Sequence, residues 1–161
     1  MNEKPITANF WQSVYLPGVV AIVDDDEQIS SALKTWFELG GLQTSLHSSS
    51  ESLLQAITQK NSVAMVTSGG DRSICAELVA AVIDLNLPGM SGFELAKALR
   101  NRFPRLPLVV ITAMRDNERA QFGSASAGIV CLQKPFDLDA LDDALFPMMY
   151  SNLRHHQDPN S

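Results

Sequence analysis

A chain of 161 residues is the length of a single domain, and with 45% hydrophobic and 19% charged residues it can pack a core, which excludes a disordered polyelectrolyte. A net charge of −6 with no basic stripe argues against a nucleic-acid surface, because phosphate backbones reward clustered Lys and Arg. No apolar run is long enough for a membrane span and no signal pattern opens the chain, so a cytoplasmic protein without a membrane partner is expected.

Residues 1–17 form an N-terminal extension. Phe10, Trp11, Val14 and Tyr15 fall at helical spacing before Pro17-Gly18. Such a segment fits a helix packed on its own domain, or a contact for a partner or a homodimer. Val19 to Val23 is a short β-branched run and reads as a buried strand. Asp24-Asp25-Asp26 follows it. Ile29, Leu33, Trp36, Phe37 and Leu39 then mark a helix from about 27 to 39, stopped by Gly40-Gly41. A strand is expected over 42–47. Ser48 and Glu51 have the spacing of a capping box, opening a helix to about Gln59 with Leu53, Leu54 and Ile57 inward.

Residues 60–78 read as an insertion that fits a hairpin, a short helix or an irregular loop. Ser68-Gly69-Gly70-Asp71 is a turn signal, and Ile74 to Leu78 fits a helical turn. Val79 to Ile83 is a third strand, ending in Asp84. A helix carrying Phe93, Leu95, Ala96, Leu99 and Phe103 ends before Pro104. Leu108 to Thr112 is a fourth strand, 117–126 a weaker helix, and Ile129 to Leu132 a fifth strand followed by Lys134-Pro135. The last helix starts near Asp137, and Pro147 is expected to end or kink it. Residues 151–161 are a polar tail, where His155-His156 reads as solvated. Cys75 and Cys131 read as two buried, reduced thiols without metal-ligand spacing.

Strands alternating with helices imply βαβ units, a parallel sheet and an α/β/α sandwich. The carboxyl ends of parallel strands line the ligand crevice. Asp24, Asp25, Asp84, Thr112 and Lys134 stand at such ends, so carboxylates, a hydroxyl and an ammonium would meet at one edge. That combination outlines a site for a cation and a phosphoryl group.

The segments Val20-Ala21-Ile22-Val23-Asp24-Asp25-Asp26, Asp84-Leu85-Asn86-Leu87-Pro88-Gly89-Met90-Ser91-Gly92, Val109-Val110-Ile111-Thr112-Ala113 and Lys134-Pro135-Phe136 together resemble a response-regulator receiver domain of two-component signalling. The resemblance covers roughly 18–150. It implies a flavodoxin-like, five-stranded parallel sheet of order 2-1-3-4-5 with an insertion before the third strand. It implies that Asp84 accepts a phosphoryl group, and that Asp24, Asp25, Asp84 and the Asn86 carbonyl hold Mg²⁺. Thr112 would donate its hydroxyl to a phosphoryl oxygen. Lys134 would pair with Asp84 and then with the phosphoryl group, and its peptide bond to Pro135 is a candidate cis bond. Asp26 is assigned to the helix start.

The resemblance also implies a phosphorelay role, with phosphate arriving from a sensor histidine kinase or a histidine phosphotransfer protein. Too few residues follow Pro147 for a further domain, so output is expected through contact with a downstream protein. The domain would be a phosphoacceptor rather than an enzyme on a diffusible substrate. Cys131 stands where the family carries a switching aromatic ring, and Met114 borders the path of the hydrolytic water. Asp25 and Asp84 lie 59 positions apart, roughly fifteen more than is usual for the family and beyond an ordinary connection. The competing expectations are a receiver-like binding module that is never phosphorylated, and a flavodoxin-like nucleotide or flavin binder. The second would need a glycine- or hydroxyl-rich phosphate loop where the three aspartates stand.

Overall fold

The computed structural model describes residues 18–68, 74–113 and 129–157. The helices expected near 10–15 and over 117–126, the turn at 69–71 and Met114 lie outside the described residues. In chain order the elements are β1 (Val19–Val23), α1 (Glu27–Leu39), β2 (Gln43–His47), α2 (Ser50–Ala56), β3 (Ile57–Lys60), β4 (Val63–Ser68), β5 (Ile74–Asp84), α3 (Gly92–Arg102), β6 (Leu108–Thr112), β7 (Ile129–Gln133) and α4 (Leu138–Gln157).

Five strands pair in parallel in the order β2-β1-β5-β6-β7, the doubly wound order 2-1-3-4-5. Every residue of β1 and β6 is buried, which is what a central parallel strand covered on both faces requires. Alternate residues serve two cores. Val19, Ala21, Val23, Ile83 and Val110 pack with Leu53 of α2 and Leu95 and Leu99 of α3. Val20, Ile22, Val82 and Ile111 pack with Leu33 and Phe37 of α1 and Leu141 and Leu145 of α4. The result is the expected three-layer sandwich.

The sheet is larger than expected. β3 and β4 form an antiparallel hairpin whose second strand pairs with the first residues of β5, making seven strands in all. The ambiguous stretch is therefore a hairpin, and it begins at Ile57 rather than near 60. α2 stops at Ala56 instead of Gln59 because β-branched Ile57 and Thr58 pair with Val66 and Met65. Ile74 to Leu78, read as a helical turn, is extended and belongs to β5. Val19 pairs with Leu78 and Val20 with Ala80, so Val79 is a bulge where β5 passes from antiparallel to parallel pairing. Val66, Ala64 and Ile57 bury one side of the hairpin against the core that α2 and α3 share.

Further readings are corrected. Ser49, not Ser48, caps α2, its hydroxyl accepting the Ser52 N–H at 3.1 Å. Glu51 then stands one position too early to close a capping box. Cys75 is exposed on β5 and Cys131 half-buried on β7, so neither is the fully buried thiol expected. Pro147 does not end α4, which runs on through the expected tail to Gln157. Pro147 is exposed, while Leu141, Leu145 and Met149 keep one buried stripe going on both sides of it. That packing offsets the ~3 kcal/mol an interior proline costs.

The hairpin turns at Asn61 and Ser62, whose φ angles of 49° and 66° are the left-handed pair of a type I′ turn. Serine is strained there and glycine is not. Ser62→Gly is expected to raise stability by about 0.5–1 kcal/mol, read as a higher urea midpoint at unchanged slope.

Candidate functional site

All five parallel strands point their carboxyl ends at the same edge, and the charged residues collect there. Asp24 and Asp25 leave β1, Asp84 ends β5, Thr112 ends β6 and Lys134 follows β7. Asp24 and Asp84 are only 5% and 6% exposed, whereas Asp25 is exposed. One carboxylate oxygen from each of Asp24, Asp25 and Asp84 lies within 4.8 Å of the others. Lys134 Nζ lies 3.4 Å from Asp84 Oδ2, and the Asn86 N–H donates to Asp84 Oδ1 at 3.2 Å. The Lys134–Pro135 peptide is cis, as expected. Thr112 is 2% exposed, and its carbonyl accepts the Lys134 N–H at 2.7 Å. Asn86 is exposed beside the acid trio.

The third aspartate has a different task. Asp26 is the N-cap of α1, its Oδ1 accepting from the N–H of Gln28 and Ile29 at 2.9 and 3.3 Å. Its own N–H donates to Asp24 Oδ1 at 2.9 Å and so orients the buried carboxylate.

Asp24 Oδ2 is buried and has no hydrogen-bond partner among the described residues. Burial, opposed by the Asp26 N–H, and then the charge of Asp84, opposed by Lys134, push the Asp24 carboxyl up from 3.8 to about 6. An orphaned carboxylate oxygen among three close acids is the hard-oxygen donor set that suits a divalent cation such as Mg²⁺.

Three contributors escaped sequence reasoning. Gly92 opens α3 against the end of β5. A Cβ there would meet the Asp84 carbonyl oxygen and lie 2.8 Å from both Asp84 C and Leu85 Cα. His47 ends β2 buried, with its ring nitrogens 2.7 Å from Ser45 Oγ and 3.0 Å from Ser52 Oγ. Burial holds its pKa below 6.5, and a neutral ring satisfies both hydroxyls. Its carbonyl accepts the Asp24 N–H at 3.0 Å. No sequence signal marks it, because β2 inverts the usual alternation: Leu46 is 45% exposed while Ser45 and His47 point inward. The third is Glu51, whose carboxylate accepts the Met90 N–H at 2.8 Å, in the loop that follows Asp84.

Fold and edge together define a flavodoxin-like α/β sandwich with a cluster of three acids and a lysine at the carboxyl edge of its sheet. The response regulator receiver domain family matches residues 72–146, which carry Asp84, Thr112 and Lys134. The DNA-binding transcriptional regulator NtrC of Klebsiella pneumoniae is 28% identical over 144 residues, covering 89% of this chain and 27% of that protein. The response regulator protein FleR of Pseudomonas aeruginosa is 30% identical over 125 residues, covering 77% and 23%. The receiver domain of the Francisella response regulator 1452 superposes with a TM-score of 0.65 at 25% identity, covering 84% of this chain and 98% of that one. The chain carries a response regulator receiver domain. It spans about a quarter of the length of the NtrC and FleR relatives. Among the described residues no helix is long and apolar enough to cross a membrane.

Two outcomes test the geometry. Asp24 has a folded pKa above its unfolded one, so the metal-free protein loses stability as pH rises from about 4 through about 6. Asp24→Asn removes that loss. Its stability advantage over the parent should be absent at pH 4 and reach about 1–3 kcal/mol at pH 7, measured by denaturant titration without divalent ions. Gly92→Ala must move backbone, and should cost about 1–3 kcal/mol in the same measurement.

Proposed function

We propose that this receiver accepts a phosphoryl group from a phosphohistidine onto Asp84, with Mg²⁺ held by Asp24, Asp25, Asp84 and the backbone carbonyl of Asn86. One observation carries the proposal: a buried carboxylate oxygen without a hydrogen-bond partner, in a trio of acids, beside one ammonium. When bound, Mg²⁺ supplies positive charge that offsets the acids and the transferring phosphoryl oxygens.

The protein's own groups do the rest. A carboxylate oxygen of Asp84 attacks phosphorus. The bond between phosphorus and the donor imidazole nitrogen breaks, its electron pair stays on the ring, and an aspartyl phosphate forms. Lys134, already 3.4 Å from Asp84, offsets the negative charge that gathers there. The buried Thr112 hydroxyl donates to a phosphoryl oxygen and draws the segment after β6 toward the site. Cys131 on β7 cannot fill the volume of an aromatic ring, so the signal runs through that segment as a population shift between two states. The phosphodonor is a sensor histidine kinase or a histidine phosphotransfer protein, and the output is contact with a downstream protein. Asp84 is consumed and regenerated within the domain, which makes it a phosphoacceptor rather than an enzyme with a diffusible substrate.

Incubation with a small phosphodonor and Mg²⁺, followed by intact mass spectrometry, should show one added phosphoryl group. Asp84→Asn and chelation of Mg²⁺ should each abolish it, and Lys134→Ala should slow it by at least about tenfold. An unlabelled parent would leave a binding module in place of a phosphoacceptor.

A further inference from the structure

The loop from Leu85 to Ser91 holds the Asn86 carbonyl and so sets one corner of the proposed cation site. Its two ends are fixed by nearby elements. The Leu85 N–H donates to the Ile111 carbonyl at 2.8 Å, and the Gly92 N–H to the Leu85 carbonyl at 3.1 Å. Ser91 and Glu94 close a capping box on α3. The C-terminal side of the loop, at Met90 just before the Ser91 cap, is also held from a different part of the chain. Ser50 Oγ donates to the Met90 carbonyl at 2.9 Å, and Glu51 Oε1 accepts the Met90 N–H at 2.8 Å. Two successive side chains of α2 thus grip both polar groups of one residue some forty positions away. Ser50 is fully buried, while Glu51 is exposed and its pKa is lowered chiefly by the Met90 bond.

Gly89 shapes this contact. Its φ of 76° lies in the left-handed region, and a Cβ there would stand 2.7 Å from Glu51 Oε1. The sequence therefore provides a turn that lets the loop close on the carboxylate. A charge-assisted bond to a backbone N–H is among the stronger single hydrogen bonds, and it costs little here because the acid keeps its solvent. Ser49 supplies the cap of α2, and Glu51, the acid of its first turn, also bonds its own backbone N–H.

We propose that Ser50 and Glu51 are positioning residues for Mg²⁺ binding: they clamp Met90 and thereby hold the Asn86 carbonyl where the cation needs it. The inference rests on the assignment of Asn86 as a ligand in the function proposed above. Partners that orient ligands commonly change metal affinity by tenfold or more. Preorganisation of this kind acts on affinity and not on the chemistry that follows at saturating metal.

The test is a calorimetric Mg²⁺ titration of the full chain, with thermal melts in chelator and phosphodonor labelling of the same samples. Glu51→Ala should raise the half-saturating Mg²⁺ concentration at least about threefold, with a parent-like metal-free melt and a labelling rate at saturating Mg²⁺ close to the parent's. Glu51→Gln keeps an acceptor oxygen and should return the titration to the parent value. Ser50→Ala should shift it in the same direction as Glu51→Ala. An unchanged titration for Glu51→Ala overturns the clamp while the labelled Asp84 leaves the phosphoacceptor standing. Equal shifts for the Ala and Gln variants overturn it too, since charge and not the bond would then be responsible. A shift that comes with a lowered metal-free melt likewise overturns it. Variants that show the expected Mg²⁺ shifts, alongside a parent that takes no label, keep the clamp and remove the phosphoacceptor.

Discussion

Like charges held close together at the end of a buried sheet are the constraint on which this molecule is organised. Asp24 and Asp84 sit at the ends of adjacent parallel strands, where the register of β1 against β5 forces them together. Both are nearly inaccessible to water, and Asp25 adds a third acid within reach. In such surroundings the repulsion is not screened away. The fold answers it in part with one backbone N–H on Asp24 and one ammonium beside Asp84. The remainder is left as an unmet demand for positive charge, which is the property a cation-dependent phosphoryl site needs.

The neighbouring structure serves to keep that arrangement from relaxing. Asp26 uses its side chain on the start of α1 and its N–H on Asp24, so one residue fixes both helix and carboxylate. Gly92 lets α3 begin directly against the Asp84 backbone. His47 and its two serines fill the space under β2 with satisfied polar groups, and the His47 carbonyl holds the Asp24 N–H. These contacts have no chemistry of their own, but each removes a way for the acids to move apart.

Much of this was legible in the residues. The unbroken apolar runs of β1 and β6, the spacing of Leu33, Trp36 and Phe37, and Gly40-Gly41 place β1, α1 and β6 within a residue of their observed bounds. The acid and lysine positions follow, because a parallel sheet leaves its strand ends no other edge. What stayed hidden has physical reasons. Three consecutive serines cannot be ranked as caps by spacing, so Glu51 was assigned to the wrong contact. Leu53, Leu54 and Ile57 continue a helical period through a point where pairing with β4 takes over. The hairpin turn uses Asn61-Ser62 and lacks the glycine that would announce it. The outward Leu46 and inward His47 reverse the alternation expected of an edge strand.

The long strand β5 belongs to two neighbourhoods at once, and this bears on how the chain finds its fold. Its first residues pair with β4 and its later ones with β1 and β6. Pairing of Val19 with Leu78 must close a long stretch of chain, and distant pairings of this kind make parallel sheets slow to assemble. The β3–β4–β5 meander is built from near neighbours in sequence, so it can zip before β1 arrives. Once zipped, it shortens the slack between β1 and its partner and presents the acceptor strand already extended. The added hairpin thus acts as a local scaffold that lowers the entropic barrier to assembling the domain's centre.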